Sequence, residues 1–363
     1  MLKKLIIIFF SLFSIYLPIE AVTGSDQNLI IKQNLTNNPL TLYKHEITYF
    51  QGNKNGAVSV TFEDGYASQA TIGVPLLNAR NIKGTIFMVT ASWALTNISW
   101  DTLNQMANQG HEIGSHTVNH YDFTSLTESD LRWQLSESQR LINRNIPAQS
   151  CVSFAYPDGL SNETVRAVTG EYYFAARGVW APEGGYLNYY ENGPNWRAVN
   201  FLNVGSCISD NINIPDIDFY LIAAEERHAW FSIHIHTIQN ATAFAQLLDH
   251  LLTRNVWIGT FGSVVRYMRE RLASTVNILS ESNTEIKLSL TNSLDHSIYN
   301  EPLTIRSTIP PHWHKVQVQQ GEYHNIVNPI LEGAETAIYY NIIPNHGTIT
   351  LADLPRLFVP PLK

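Results

Sequence analysis

Seven short apolar runs recur between residues 57 and 261, with segments of helical spacing among them. They are AVSVTF (57–62), GTIFMVT (84–90), HEIGSH (111–116), CVSFAYP (151–157), YYFAAR (172–177), WFSIHIH (230–236) and VWIGTF (256–261). A strand that is apolar at nearly every position has no polar face to offer water, so both its faces must be covered. Helices between such strands do this by crossing over a parallel sheet, which gives an α/β fold, either barrel or open. Helical segments stand where that needs them. ATIGVPLLNARN (70–81) is one, interrupted by Pro75, and ATAFAQLLDHLLTRN (241–255) is another. A third opens at Thr127, an N-cap with Asp130 three residues on, and carries Leu131, Leu135 and Ile142 on one face.

After Leu272 the period changes. TEIKLSLTN (284–292), PLTIRSTI (302–309), HKVQVQQ (314–320) and AIYYNII (337–343) alternate apolar with polar residues between Asn, Asp, Pro and Gly. That pattern predicts a small all-β sandwich over 273–363. IPPHWH (309–314) reads as a strand-end turn rather than a metal site. Residues 22–56 are a polar lead-in without clear periodicity. Before them, Lys3, Lys4, the apolar stretch from Leu5 to Leu17, and Pro18 predict an export signal ending after Ala21. The apolar stretch is shorter than the roughly 20 residues of a membrane span. A secreted, periplasmic or cell-surface protein is therefore expected. The formal charge of −8 gives no footprint for nucleic acid. In an oxidising compartment Cys151 and Cys207 could pair, and two free thiols are equally compatible with the sequence. Asn34, Asn97, Asn162 and Asn240 each fit the glycosylation pattern.

In parallel α/β sheets chemistry collects at the carboxyl ends of the strands. Glu63 and Asp64, followed by Gly65, stand at the end of the first run. Adjacent carboxylates repel and resist desolvation, so they are either solvated at a turn or held there for a purpose. SHTVNH places His116 and His120 four residues apart. In a helical turn their rings would share a face, with Cβ atoms about 6 Å apart. One divalent ion could then bind both, with a carboxylate completing the set. Taken alone, such spacing is more often a pair of solvated loop histidines.

TFEDG, SHTVNH, FAYPDG and HIHT follow one another, each at the end of an apolar strand. This succession resembles the NodB-like polysaccharide deacetylases, carbohydrate esterase family 4, over residues 57–272. It includes VWIGTFGSVVRYMRE at the end of that range. The resemblance implies a distorted, incomplete (β/α) barrel, here with the C-terminal all-β sandwich domain. It also implies hydrolysis of N- or O-acetyl groups on sugars with a divalent metal, most often Zn2+. Carried over residue by residue, Asp64, His116 and His120 would be the metal ligands. Glu63 would be the general base for the attacking water. The backbone N–H of Asp158 would help hold the oxyanion, and His236 would protonate the leaving group. His234, on the same face of its strand, is the rival for that last role.

Two departures from the family pattern matter. Glu63 stands where the family keeps an aspartate, and the extra methylene moves the carboxylate by about 1 Å, a displacement that can lower a rate about a hundredfold. Ala155 stands where many relatives have an arginine that orients the base, and Arg177 in FAAR is the candidate replacement. The expected substrate is an N-acetylated glycan such as a chitooligosaccharide, peptidoglycan or poly-N-acetylglucosamine. An O-acetyl esterase acting on polysaccharide is the near alternative. Glu63 and the missing arginine keep open a non-catalytic carbohydrate-binding protein on the same fold. Trp180, Tyr186 and Trp196 could stack on sugar rings or pack their loop onto the barrel with equal ease.

Overall fold

The computed structural model describes residues 42–179, 185–192 and 197–354. The expected export signal, Asn34, Trp180 and Trp196 lie outside the described residues. Among the described residues no helix is long and apolar enough to cross a membrane.

Each of the seven apolar runs contains a strand. They are β1 (Gly56–Glu63), β2 (Thr85–Met88), β3 (Glu112–Ser115), β4 (Ser153–Ala155), β5 (Ala175–Arg177), β6 (Trp230–Ile235) and β7 (Val256–Ile258). All seven run parallel in the order β5-β4-β3-β2-β1-β6. β7 pairs with Gly56–Val58 at the start of β1, and β2 takes Thr61–Glu63 further along it. The sheet is an incomplete (β/α) barrel. Two short strands, Leu187–Asn188 and Cys207–Ile208, line β6.

The period of two sorts β1 between two cores. Val58, Val60 and Phe62 point outward into a cluster with Leu221 of helix α2 (Ile214–Arg227) and Leu247, Leu248 and Leu251 of α3 (Ala241–Thr253). The alternate face looks into the half-barrel. There Ala57, Phe87, Ala155, Ala175 and Trp230 pack against Phe261, Val264, Val265 and Met268 of α4 (Phe261–Ala273). The start of α4 is tied to this interior. The Phe261 N–H donates to Thr85 Oγ1 at 2.8 Å, and the Gly262 N–H donates to Glu112 Oε2 at 2.7 Å. Packing inside is tight at Gly114, where a Cβ would come within 2.6 Å of the Phe87 ring.

The expected caps and breaks have clear outcomes. Thr127 accepts from the Asp130 N–H at 3.2 Å and opens α1 (Glu128–Asn145). Residues 70–81 do not form one helix. A π-type turn, Gln69–Gly73, passes into a short helix, Val74–Asn78, which takes Pro75 in its first turn, where no backbone N–H is needed. Asn162 and Asn240 each cap a helix with their side chains. Both cysteines are free thiols, Cys151 buried and Cys207 partly so.

Residues 275–353 form two antiparallel sheets. One is ordered β8 (Thr275–Glu281), β9 (Glu285–Thr291), β15 (Thr348–Asp353), β11 (Val316–Gln320), β12 (Tyr323–Val327). The other contains β10 (Leu303–Thr308), β14 (Glu335–Ile342) and β13 (Ile330–Glu332). Its fourth strand comes from the lead-in: His45–Ile47 pairs antiparallel with β10, Ile47 opposite Ile305. Leu288, Ile305, Trp313, Val318, Tyr340 and Leu351 fill the space between the sheets, joined by Tyr267 of α4. The Trp313 indole donates to the Asn283 carbonyl at 2.8 Å, so IPPHWH is a turn anchored by its tryptophan.

Candidate active site

β1 carries Glu63 to its carboxyl end on the inner face, and the chain then turns sharply. Asp64 has φ +67° and Gly65 φ +80°. A side chain at residue 65 would meet Met88 at 2.6 Å, so this turn requires glycine. β3 delivers His116 one residue beyond its end. The stretch from His116 to His120 is not a helical turn: Thr117 and His120 both have left-handed backbones, at φ +71° and +59°. Gln134 Oε1 accepts from the Val118 and Asn119 N–H groups at 2.9 and 3.1 Å, and Thr117 Oγ1 accepts from the His120 N–H at 2.8 Å. This folded-back loop brings the two rings together, with centroids 4.8 Å apart.

His116 Nδ1 lies 2.8 Å from the Ala155 carbonyl, to which it can only donate. That fixes the tautomer and leaves the Nε2 lone pair for a ligand. His116 Nε2 and His120 Nε2 each lie 3.4 Å from Asp64 Oδ1. One ligand atom from each of the three residues falls within 4.8 Å of the others. Asp64 Oδ1 is buried without a hydrogen-bond partner. Such an orphaned oxygen is costly unless something else satisfies it. Burial pushes the Asp64 carboxyl up, but the neighbouring imidazoles, His116 first and then His120 and His236, outweigh it and hold it below its ordinary value. A divalent cation fits this donor set of one carboxylate and two imidazoles.

Glu63 is buried beside this cluster, 3.4 Å from His116 Nε2. Arg177, also buried, donates through Nη2 to Glu63 Oε2. Glu63 Oε1 has no hydrogen-bond partner. Burial pushes the Glu63 carboxyl up, yet Arg177, with His234, His116 and His236 behind it, prevails and holds it below the usual range. In the parallel pairing of β4 with β5, Arg177 is the register partner of Ala155. Arg177 thus reaches Glu63 from the position beside Ala155, one strand away.

The two late histidines have different surroundings. His234 is 1% exposed, its Nε2 3.6 Å from Glu63 Oε1 and its Nδ1 2.9 Å from Ser206 Oγ. Ser206 donates its own hydrogen to the Gly178 carbonyl at 2.7 Å, next to Arg177. Burial, and then Arg177, push the His234 ring down to about 3, so it stays neutral. His236 is about a third exposed, and its Nδ1 lies 2.9 Å from Asp210 Oδ2. The His236 N–H also donates to Asp210 Oδ1 at 2.7 Å, which fixes the pair. Gln69 ties the two strand ends, donating to the Glu63 and His236 carbonyls. Asp158 sits at an exposed turn after β4 with φ +55°, close enough for its charge to act on His120.

The expected residues Glu63, Asp64, His116, His120, His236 and Arg177 therefore share one carboxyl-end cluster. Tyr186 is partly buried and packs edge-on against Tyr220 at 5.2 Å. Asp210 and Ser206 escape a reading of the sequence. Their only signal is a polar flank around Cys207–Ile208, a two-residue strand too short to show periodicity.

Residues 51–176 match the family model described as polysaccharide deacetylase. The chain is 25% identical over 332 residues to a gellan lyase from a Bacillus species, covering 84% of this chain and 13% of that protein. It is 32% identical over 98 residues to a peptidoglycan-N-acetylglucosamine deacetylase from Bacillus cereus, covering 26% of this chain and 34% of the relative. It thus spans only part of the length of either. A solved family 4 carbohydrate esterase from Bacillus anthracis is 19% identical, covering 58% of this chain and 83% of that one, with a TM-score of 0.39. The family match is thus confined to residues 51–176, a segment of polysaccharide deacetylase type that includes β1, the His116–His120 loop and β4.

Proposed function

We propose that the chain hydrolyses acetyl groups from an N-acetylated glycan and releases acetate, with one divalent metal, Zn2+, held by Asp64, His116 and His120. In this reading residues 57–272 are the catalytic domain and 273–363 an accessory domain. The observation that carries it is the orphaned Asp64 Oδ1, 3.4 Å from each of two imidazole nitrogens, beside a clamped carboxylate.

An amide carbonyl is a weak electrophile, and a divalent ion in this position supplies the Lewis acidity that polarises it and acidifies water. The chain's own residues supply the proton traffic. Glu63 takes the proton of the attacking water on Oε1, its free oxygen, while Arg177 grips Oε2. His234 stays neutral and packs the base in place. His236, backed by Asp210, gives a proton to the departing sugar nitrogen. The Asp158 N–H meets the developing oxyanion. Adjacent acids are then no contradiction, since Asp64 is neutralised by the cation and Glu63 by a guanidinium.

Metal analysis of the purified protein, with acetate release from N-acetylglucosamine oligomers before and after chelation, tests this. One zinc per chain is expected, with turnover lost on chelation and restored by added zinc. Release only from O-acetylated polysaccharide would make the enzyme an esterase. No release from any acetylated glycan, with sugar binding retained, would make it a binding protein.

A further inference from the structure

We propose that the sandwich carries a glycan-binding cleft of its own, distinct from the cluster around Asp64. A cavity of about 590 Å³ opens where the β11–β12 turn, the segment after β14 and the residue before β10 meet. Pro302, Gln320, Glu322, Tyr323, Asn341 and His346 line it. Its volume falls within the range typical of small-molecule sites, roughly 300–1,000 Å³.

The cleft is preformed. Gln320 is buried, its amide donating to the Ile343 carbonyl at 2.8 Å and its Oε1 accepting from the Ile343 N–H at 3.3 Å. That exchange locks one turn to the other. Thr304 donates to Asn341 Oδ1 at 2.5 Å, which orients the amide and leaves its NH₂ free to donate. Tyr323 is 41% exposed, a large ring kept at the surface. At Gly321, φ +54°, the nearest atom to an added side chain is the His346 carbonyl oxygen at 3.9 Å, so the mouth is open.

These groups match a sugar better than other ligands. A pyranose has an apolar face for a ring to cover and hydroxyls that both donate and accept. The cleft offers the Tyr323 ring, an amide donor, a carboxylate acceptor and an imidazole. Glu322 and the formal charge of −8 weigh against a polyanion. A second cavity, about 360 Å³, shares Asn341 and continues past Gln51, Lys54 and Trp257 to the amino ends of the barrel strands. A linear chain could thus follow one groove from sandwich to barrel. That groove lies at the opposite end of the strands from Asp64, so the cleft anchors a polymer rather than feeding the catalytic cluster. The choice of a carbohydrate rests on the deacetylase reading.

Affinity electrophoresis in gels containing glycol chitin or xylan tests the cleft, using the full chain and its Tyr323→Ala and Asn341→Ala variants. Both residues are exposed, and circular dichroism checks that each variant is folded. The parent protein should be retarded by at least one of the glycans, and each variant should need about tenfold more glycan for equal retardation, equivalent to about 1.4 kcal/mol. Acetate release from a soluble N-acetylchitotriose should be unchanged in both variants. Equal retardation of parent and variants, or no retardation of the parent, overturns the proposal even if acetate is released. Retardation that depends on Tyr323, without acetate release from any substrate, would leave the cleft standing and remove the catalytic reading.

Discussion

Arg177→Ala tests how the proposed base is held. Arg177 is 1% exposed and Glu63 3%, so neither charge has water to replace its partner. Removing one member of a buried pair strands the other, at a cost of about 3–5 kcal/mol in stability. The truncated site cannot close around the loss, because the register partner facing it, Ala155, is itself small. A carboxylate released from its clamp by about 1 Å loses about a hundredfold in rate, or about 2.7 kcal/mol of barrier. Steady-state acetate release should therefore show kcat falling about a hundredfold with KM little changed. Bound zinc should stay at one per chain, since Arg177 touches none of the three expected ligands. Millimolar guanidinium should restore part of the rate, which a merely unfolded fraction would not allow. Arg177→Lys, with its charge but without the planar fork, should fall between. A folded Arg177→Ala protein with undiminished kcat would refute the reasoning.

Three further expectations concern the scaffold. Gly114→Ala drives a Cβ to 2.6 Å from the Phe87 ring and 2.8 Å from Ser153 Oγ; thermal unfolding should show a loss of about 1–3 kcal/mol, and unchanged stability would contradict the packing described. Glu112→Ala removes the acceptor of Thr85, Ser153 and the Gly262 N–H together, and denaturant unfolding should register a loss of about 3 kcal/mol. The third is a pH effect. Burial raises Glu270 and Glu301 to about 7, and the Glu301 N–H donates to Glu270 at 2.9 Å. The folded state thus keeps protons that the unfolded chain has released, and these two groups lower stability as pH rises from about 4.5 to 7. His111, pushed down to about 4 by burial and Lys83, acts in the opposite sense from about 6.5 down to 4. Glu270→Gln should flatten the fall in unfolding free energy between about pH 4.5 and 7, by about 1–3 kcal/mol across the window. Parallel profiles for parent and variant would count against it.

The parallel sheet is legible because covering both faces of a strand leaves an almost unbroken apolar run, and all seven runs contain one. Strands wetted on one or both faces leave weaker traces. Tyr323–Val327 has four exposed residues of its five, and His45–Ile47 is too short to show a period. The His116–His120 spacing points to the right neighbours for the wrong reason. Their rings meet through two left-handed residues, Thr117 and His120, and the Val118 and Asn119 N–H groups between them are held by Gln134, a partner fourteen residues downstream of His120 that no local spacing reveals. Arg177 can be suspected as a partner of Glu63 from Ala155, but only the pairing of β4 with β5 puts residue 177 beside residue 155. Asp210 is placed by a strand of two residues, which carries no periodic signal.

The lead-in strand has a consequence for anyone dissecting this protein. His45–Ile47 sits in the sandwich, eight residues before β1 begins the barrel. Thr48 joins them further: its carbonyl accepts from Tyr267 and Arg271 on α4, and its N–H donates to Thr304 at 2.9 Å. Severing the chain between Ala273 and Thr275 would not release the barrel. The halves would stay laced through the lead-in, and a barrel expressed without residues 275–354 would bare the edge of His45–Ile47 and the ring of Tyr267. A barrel moved to another protein would therefore have to take both His45–Ile47 and the sandwich strands with it, and a protease nick at that joint should pass unnoticed until the protein is denatured.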